Sequence, residues 1–356
     1  MILARWLLRR LATNILFVSL CLTALLTVFD SLAHGSEVAA AAKNPLLPML
    51  YYALLRFPAI LLFLLPFSVL VAALMTYGSL GAQREIIALE ASGFTLYRIS
   101  VVFSCAVAGL GLLAFWVGDR VLPPAFESLE AWQQRGYRGL PDLELVPKQP
   151  EWLASSSYIV RPSGVSAEGG LLEAPTLLRL NDEGVMTHYV RAKRAVYRPE
   201  GWELQEVAET DLGSGDSRTW TARAVDLDLK PHDFALLNRS VEALRFNQLR
   251  LLGSGRIETP KESPPYYRMA AYRRIAQPLA AVVLLLFAAP AARWSRGGSR
   301  ALVSVLAMAG GFLYFVVERL CLAMGEVGNL PVVLAAFGPH LLFAFFAILV
   351  MVREHQ

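Results

Sequence analysis

Apolar residues come in six long blocks, at 11–30, 57–78, 99–118, 275–292, 301–323 and 331–352. A hydrocarbon layer about 30 Å thick takes about 20 residues of helix, so each block predicts one membrane span. Between the third and fourth blocks, residues 119–268 hold most of the Asp, Glu, Lys and Arg. The expected layout is three spans in 1–118, a polar domain in 119–268 and three more spans in 269–356. Within the polar domain the period shortens. Tyr189–Tyr197 is β-prone with partial alternation, Arg198-Pro199-Glu200-Gly201 supplies a turn, and Trp202–Val207 and Val225–Leu229 read as alternating strands. Short alternating runs set off by Gly, Pro and Asp predict an antiparallel sandwich or roll.

Composition adds direction to this layout. The 356 residues are 55% hydrophobic and 17% charged, against about 25% charged in soluble domains. The net charge of +4 forms no dense patch, so no nucleic-acid partner is expected. The basic residues sit instead at span ends, where positive charge sets orientation. A cytoplasmic N-terminus places Arg5, Arg9, Arg10, Arg84, Arg98, Arg293, Arg296, Arg300 and Arg353 inside, and leaves Lys43 in an outer loop. Both termini are therefore expected in the cytoplasm and the polar domain outside it. Arg5, Arg9 and Arg10 before an apolar run also fit a secretory signal ending near Ala40-Ala41-Ala42. The run is longer than the usual 7–15 residues of such signals, and the small residues lie well beyond it. Cys21, Cys105 and Cys321 all fall inside spans, where they read as packing residues rather than a disulfide framework.

Catalytic patterns are missing. The sequence holds no Gly-Lys dipeptide and hence no phosphate-binding GxxxxGK loop, no HExxH, no Cys/His cluster and no GxSxG. Neither a catalytic residue nor a metal site is expected, so any work must draw on a partner or a gradient. Charges within spans are costly and usually functional. Asp30 closes the first block, Asp119-Arg120 the third, and Glu318-Arg319 lies in the outer part of the fifth. None is central, which argues against a proton-driven carrier. They either pair at the interface or meet a polar head group at the outer mouth. Between spans two and three, Gly78–Thr95 predicts a short amphipathic helix at about 81–93 ended by Gly93. Glu85, Leu89 and Ser92 share one of its faces, an acid beside apolar surface suited to docking a cytosolic partner.

Here the sequence resembles a known family. The loop Glu85-x(4)-Glu90-Ala91-Ser92-Gly93-Phe94-Thr95, Leu64-Leu65-Pro66 in span two and Tyr272–Leu279 at the start of span four are similar to the YjgP/YjgQ permeases. These are the LptF and LptG subunits of the lipopolysaccharide exporter, and the resemblance covers essentially the whole chain. The Glu-Ala-Ser-Gly-Phe-Thr run, with Trp152, Tyr158 and Trp202, is closer to the LptG branch.

The resemblance implies an α-helical polytopic protein of the Gram-negative inner membrane, with six transmembrane helices in a 3+3 arrangement and an inserted periplasmic antiparallel β-jellyroll. It implies a non-catalytic subunit that takes lipopolysaccharide from the inner membrane, works with an LptF paralogue and an LptB ATPase dimer, and hands the lipid to LptC and a periplasmic bridge. ATP would be bound by the partner, and no cofactor by this chain. Arg84, Glu85, Leu89, Glu90, Ser92 and Gly93 would form the ATPase contact. Asp30, Glu318 and Arg319 would lie near a lateral gate made by spans one and five. Arg135 and Arg138 match basic family positions, and with Arg268, Arg273 and Arg274 would form a collar for lipopolysaccharide phosphates, or else anchor the span ends. A lysine found early in span two of some members is not matched, Ala59 standing there with Arg56 nearby. The LptF subunit itself, or a membrane sensor or scaffold with a periplasmic ligand-binding domain, are the alternatives.

Overall fold

The structure is a computed structural model that describes residues 2–40, 45–83, 85–91, 93, 95–137, 152–154, 158–166, 169–181, 185–227, 229–231, 233–234, 240–255, 264–290 and 300–353. It forms two compact units, one of residues 1–125 with 269–356 and the other of residues 126–268. Among the described residues the chain runs α1 (Ile2–Ala40), α2 (Leu46–Ala82), α3 (Glu85–Ala91), α4 (Leu96–Arg120) and α5 (Leu122–Gln134), then eight strands, then α6 (Phe246–Gly253), α7 (Pro264–Ala288), α8 (Arg300–Glu326) and α9 (Val332–Arg353).

Among the described residues, six helices are long and apolar enough to cross a membrane, three before the strands and three after. The first three spans are longer than the apolar blocks suggest. Leu3–Ala39 and Leu46–Ala82 have 37 residues each and Leu96–Gln133 has 38, about 55 Å of helix against a layer of about 30 Å. Asp30 therefore does not end the first helix, which continues through Ala40. The carboxylate is tolerated inside the helix because a cation on α2 meets it.

α1 and α2 pack together along a long seam. Ser19, Thr23 and Thr27 recur every fourth residue on α1 and are buried, and such small side chains let helix backbones approach closely. Near the start of this seam Asn14 Nδ2 donates to Thr76 Oγ1 at 2.8 Å, and that hydroxyl donates to the Ala72 carbonyl at 2.7 Å. The opposite face of α1 leaves Leu16, Phe17, Leu20, Leu25 and Phe29 exposed, as a lipid-facing surface does. Cys21 and Cys105 are exposed too, so the reading of these two as packing residues is corrected. The buried core joins Leu7 and Leu11 of α1, Leu70 and Tyr77 of α2, Phe103 of α4, Leu284 of α7 and Tyr314 of α8. α4 and α7 meet at Gly111, where a Cβ would stand 2.8 Å from Pro278 Cβ.

The second unit holds an antiparallel sheet of eight strands: β1 (Leu153–Ala154), β2 (Tyr158–Arg161), β3 (Gly164–Val165), β4 (Leu171–Glu173), β5 (Thr176–Leu180), β6 (Met186–Arg198), β7 (Gly201–Asp211) and β8 (Ser217–Val225). β2 and β3 continue one another in a single register against β5 and β4. β4 and β5 do the same along β6, interrupted at Ala174-Pro175. The sheet is thus a meander in chain order. It is creased along one line, where Ala174 and Glu206 have positive φ of 39° and 51°. Above and below that line the inward parity differs, with Val190 and Ala192 buried on one side and Ala195 on the other. The alternation read over Trp202–Val207 correspondingly breaks at Glu206, and Trp202, Leu204 and Val207 are the buried positions. The strand expected at Val225–Leu229 ends at Val225. There Lys230 N donates to Asp233 Oδ2 at 2.9 Å and turns the chain, while the buried Leu227 and Leu229 still point inward.

Two polar details fix the sheet. Asp211 Oδ1 accepts from Gly213 N at 2.7 Å and Ser214 N at 3.2 Å, and these N–H donors hold its carboxyl below the usual carboxylate range. Gly169 has φ +76°, and a Cβ there would fall 1.7 Å from the Pro231 carbonyl oxygen. Gly169→Ala is therefore expected to destabilise this unit by about 2 kcal/mol. Thermal unfolding of the full chain followed by far-ultraviolet circular dichroism checks this, and an unshifted β-transition would sink it.

Candidate coupling site and charge belt

The loop singled out in the sequence is a seven-residue helix, α3, seated on the membrane unit. Ile86 and Leu89 are buried in the same core as Leu7, Leu11, Leu80 and Ile99. Gly93 takes φ +85° just past its end, and its carbonyl accepts from Arg98 Nη1 at 3.1 Å. The Thr95 hydroxyl caps α4 by accepting from Arg98 N at 3.4 Å. Glu85 is bound rather than free: Arg10 Nη1 donates to Glu85 Oε2 at 2.9 Å, and Arg10 Nη2 donates to Gln83 Oε1 at 3.2 Å.

Glu85 and Leu89 do share a face, but it is the one turned toward the protein. The outward face carries Ile87, Ala88 and Ala91, with Ile87 49% exposed, and Glu90 stands half-buried beside them. Helical spacing groups positions on one face without saying which way that face turns, so Ile87 was missed. Arg10 was missed for another reason: it lies 75 residues from Glu85 and no local pattern links them. Arg84 and Ser92 lie outside the described residues.

At the opposite end of the bundle Asp30 and Asp119 are ion-paired. Arg56 Nη2 and Nε reach Asp30 Oδ1 and Oδ2 at 2.9 and 3.0 Å, and Tyr52 O–H donates to Oδ2 at 3.1 Å. His34 Nδ1 lies 3.0 Å from the Asp30 carbonyl oxygen. Arg274 of α7 meets Asp119 of α4 at 3.2 Å. Glu318 is half-buried and feels both Arg319 and Arg273, while the Arg319 guanidinium lies 5.5 Å from the Phe63 ring centre. Deeper along α8, Tyr314 meets His340 of α9 edge to face at 5.7 Å, both buried. Asp30 lies 20 residues from Arg10, and Asp119 lies 21 from Arg98. Each separation is about 30 Å of helix, the thickness of the hydrocarbon layer. The acids thus form one belt a bilayer's depth from the basic end.

The arginines of the expected collar divide between the two units. Arg273 and Arg274 belong to the membrane unit, and Arg274 is an ion-pair partner of Asp119. Arg135 and Arg268 belong to the second unit, with Arg135 half-buried and Arg268 exposed beneath Gly253 of α6. Arg138 lies outside the described residues.

Six membrane helices, an inserted antiparallel sheet and a short helix on the basic end are matched by one family model. That model, the lipopolysaccharide export system permease LptF/LptG, covers residues 5–353. The chain belongs to the LptF/LptG family. It is 24% identical over 325 residues to the lipopolysaccharide export system permease protein LptG of Escherichia coli strain K12, covering 85% of each chain. It is 20% identical over 291 residues to the protein of the same description in Haemophilus influenzae strain KW20, covering 78% of each. An LptF/LptG permease is a multi-pass inner-membrane component of an exporter, and the six apolar helices agree with that.

Proposed function

We propose that this chain is the LptG-type transmembrane subunit of an exporter that extracts lipopolysaccharide from the inner membrane. In this reading it pairs with an LptF paralogue, is driven by ATP hydrolysis on an LptB dimer, and passes the lipid to LptC and the periplasmic bridge. The observation that carries it is α3: a short helix rooted in the membrane core by Ile86 and Leu89, with Ile87 offered outward. A rooted helix with one free apolar edge suits transmission of force from a docked partner. Arg84, Glu90, Ser92 and Gly93 flank that edge in sequence and are proposed contacts with it, while Glu85 acts from the inner face. Names of the relatives favour LptG over LptF.

The basic residues around α3, with the positive-inside bias, support a cytoplasmic placement of both termini and of α3, and hence a periplasmic β-domain. Arg135, Arg138 and Arg268 then remain as proposed contacts for lipopolysaccharide phosphates. Asp30, Glu318 and Arg319 lie on α1 and α8, the helices proposed to form the lateral gates.

The test is purification of the tagged chain from a Gram-negative host, followed by reconstitution. Co-purification of an ATPase and a paralogous permease is expected, with ATP-dependent release of lipopolysaccharide from proteoliposomes to a periplasmic acceptor. A chain that purifies without an ATPase, or lipid release indifferent to ATP, would overturn the exporter reading and leave a sensor or scaffold.

A further inference from the structure

The basic end of the chain carries three arginines, Arg5, Arg9 and Arg10, that the positive-inside rule treats alike. The structure separates them. Arg5 and Arg9 are exposed, whereas Arg10 is turned toward the protein with its side chain only 25% exposed. The Arg10 guanidinium lies 5.3 Å from the ring centre of Trp6, one helical turn back. Its two terminal nitrogens then divide across the end of α2 and the start of α3, one to Gln83 and one to Glu85. A single side chain thus ties α1 to the short helix and to the connection that leads into it.

We propose that Arg10 is a positioning residue for coupling: through Glu85 it fastens α3 to α1, so that a displacement of α3 is delivered to α1. This rests on the exporter reading above and names the path by which its driving force enters the membrane. Three observations carry it. Charge-assisted hydrogen bonds are the stronger kind, roughly twice as strong as neutral ones, because charge adds to the attraction. The Glu85–Arg10 pair, at 31% and 25% side-chain exposure, is screened less than a surface pair. Next, α3 follows α2 directly, so this bond gives α3 a polar link to α1 besides the path through α2. Last, α1 packs along α2 and is joined to it by Asn14–Thr76 and by Asp30–Arg56 at the far end. A pull on Arg10 therefore moves α1 and α2 together as far as the charge belt.

The experiment uses the reconstituted complex and reads lipopolysaccharide released per ATP hydrolysed. Arg10→Gln is expected to lower that ratio by about fivefold or more, the range of ordinary coupling energies. Arg10→Lys, which keeps a donor and the charge, should retain most of it. Arg9→Gln removes the same charge from the same turn but makes no such bond, and should leave the ratio unchanged. In a double-variant cycle, adding Arg10→Gln to Glu85→Gln should lower the ratio no further, because both act through one bond. If Arg10→Gln behaves like Arg9→Gln, or if the two losses multiply, Arg10 is an orienting charge and the latch is wrong. Those outcomes leave the exporter reading standing. Absence of ATP-driven release from the unmodified complex would overturn that reading itself, and the latch with it.

Discussion

With Arg56 replaced by methionine, the chain is expected to lose about 3 kcal/mol of stability, and the further change Asp30→Leu is expected to recover most of it. The reason is asymmetry. Arg56 meets both oxygens of the Asp30 carboxylate, and Tyr52 adds a third donor. The carboxylate is only 16% exposed and belongs to a helix that continues ten residues further. Removing the cation leaves a charge that neither bulk water nor a second cation fully solvates, whereas removing both partners leaves an apolar contact between α1 and α2. Thermal unfolding of the purified chain in detergent, on both single variants and the double, measures this. A double variant less stable than either single variant would show that the pair is worth more than the desolvation it relieves. Single variants at wild-type stability would show that the remaining α1–α2 packing holds the two helices unaided.

That pair also marks where the sequence was legible and where it was not. The six apolar blocks were readable because a span must be apolar throughout its depth, a condition written residue by residue. The reach of α1 and α2 beyond the layer was not readable, because the ends of the blocks are charges that partner each other across 26 residues. A charge that ends an apolar run and a charge that continues a helix look the same until the partner is seen. The β-domain shows the same division. Partial alternation over Tyr189–Tyr197 was visible, and its cause is the crease at which the buried side moves from Val190 and Ala192 to Ala195. Neighbouring strands break together at Ala174 and Glu206, which no single strand can announce. At the coupling site the helix and its acid were legible, while the direction it faced and its bond to Arg10 were tertiary facts.

The largest loss of stability in the second unit is expected from Trp202→Ala, about 3–5 kcal/mol. Trp202 starts β7 and is buried, with its ring edge-on to Tyr197 at 5.3 Å and to Phe234 at 5.1 Å. Its Nε1–H donates to the Leu229 carbonyl at 2.7 Å. That bond draws the chain after β8 back over the sheet, at the point where alternation continues in Leu227 and Leu229 but strand pairing has ended. Truncation thus opens a void among aromatic neighbours and also leaves a buried carbonyl unpaired. Trp202→Phe separates the two, keeping most of the ring contacts while removing the donor, and should fall by about 1–3 kcal/mol. Unfolding of the full chain, followed by loss of the β signal in far-ultraviolet circular dichroism, ranks the variants. Equal losses for Phe and Ala would assign the effect to the hydrogen bond. A loss confined to Ala would make the aromatic packing what closes the sheet at this end.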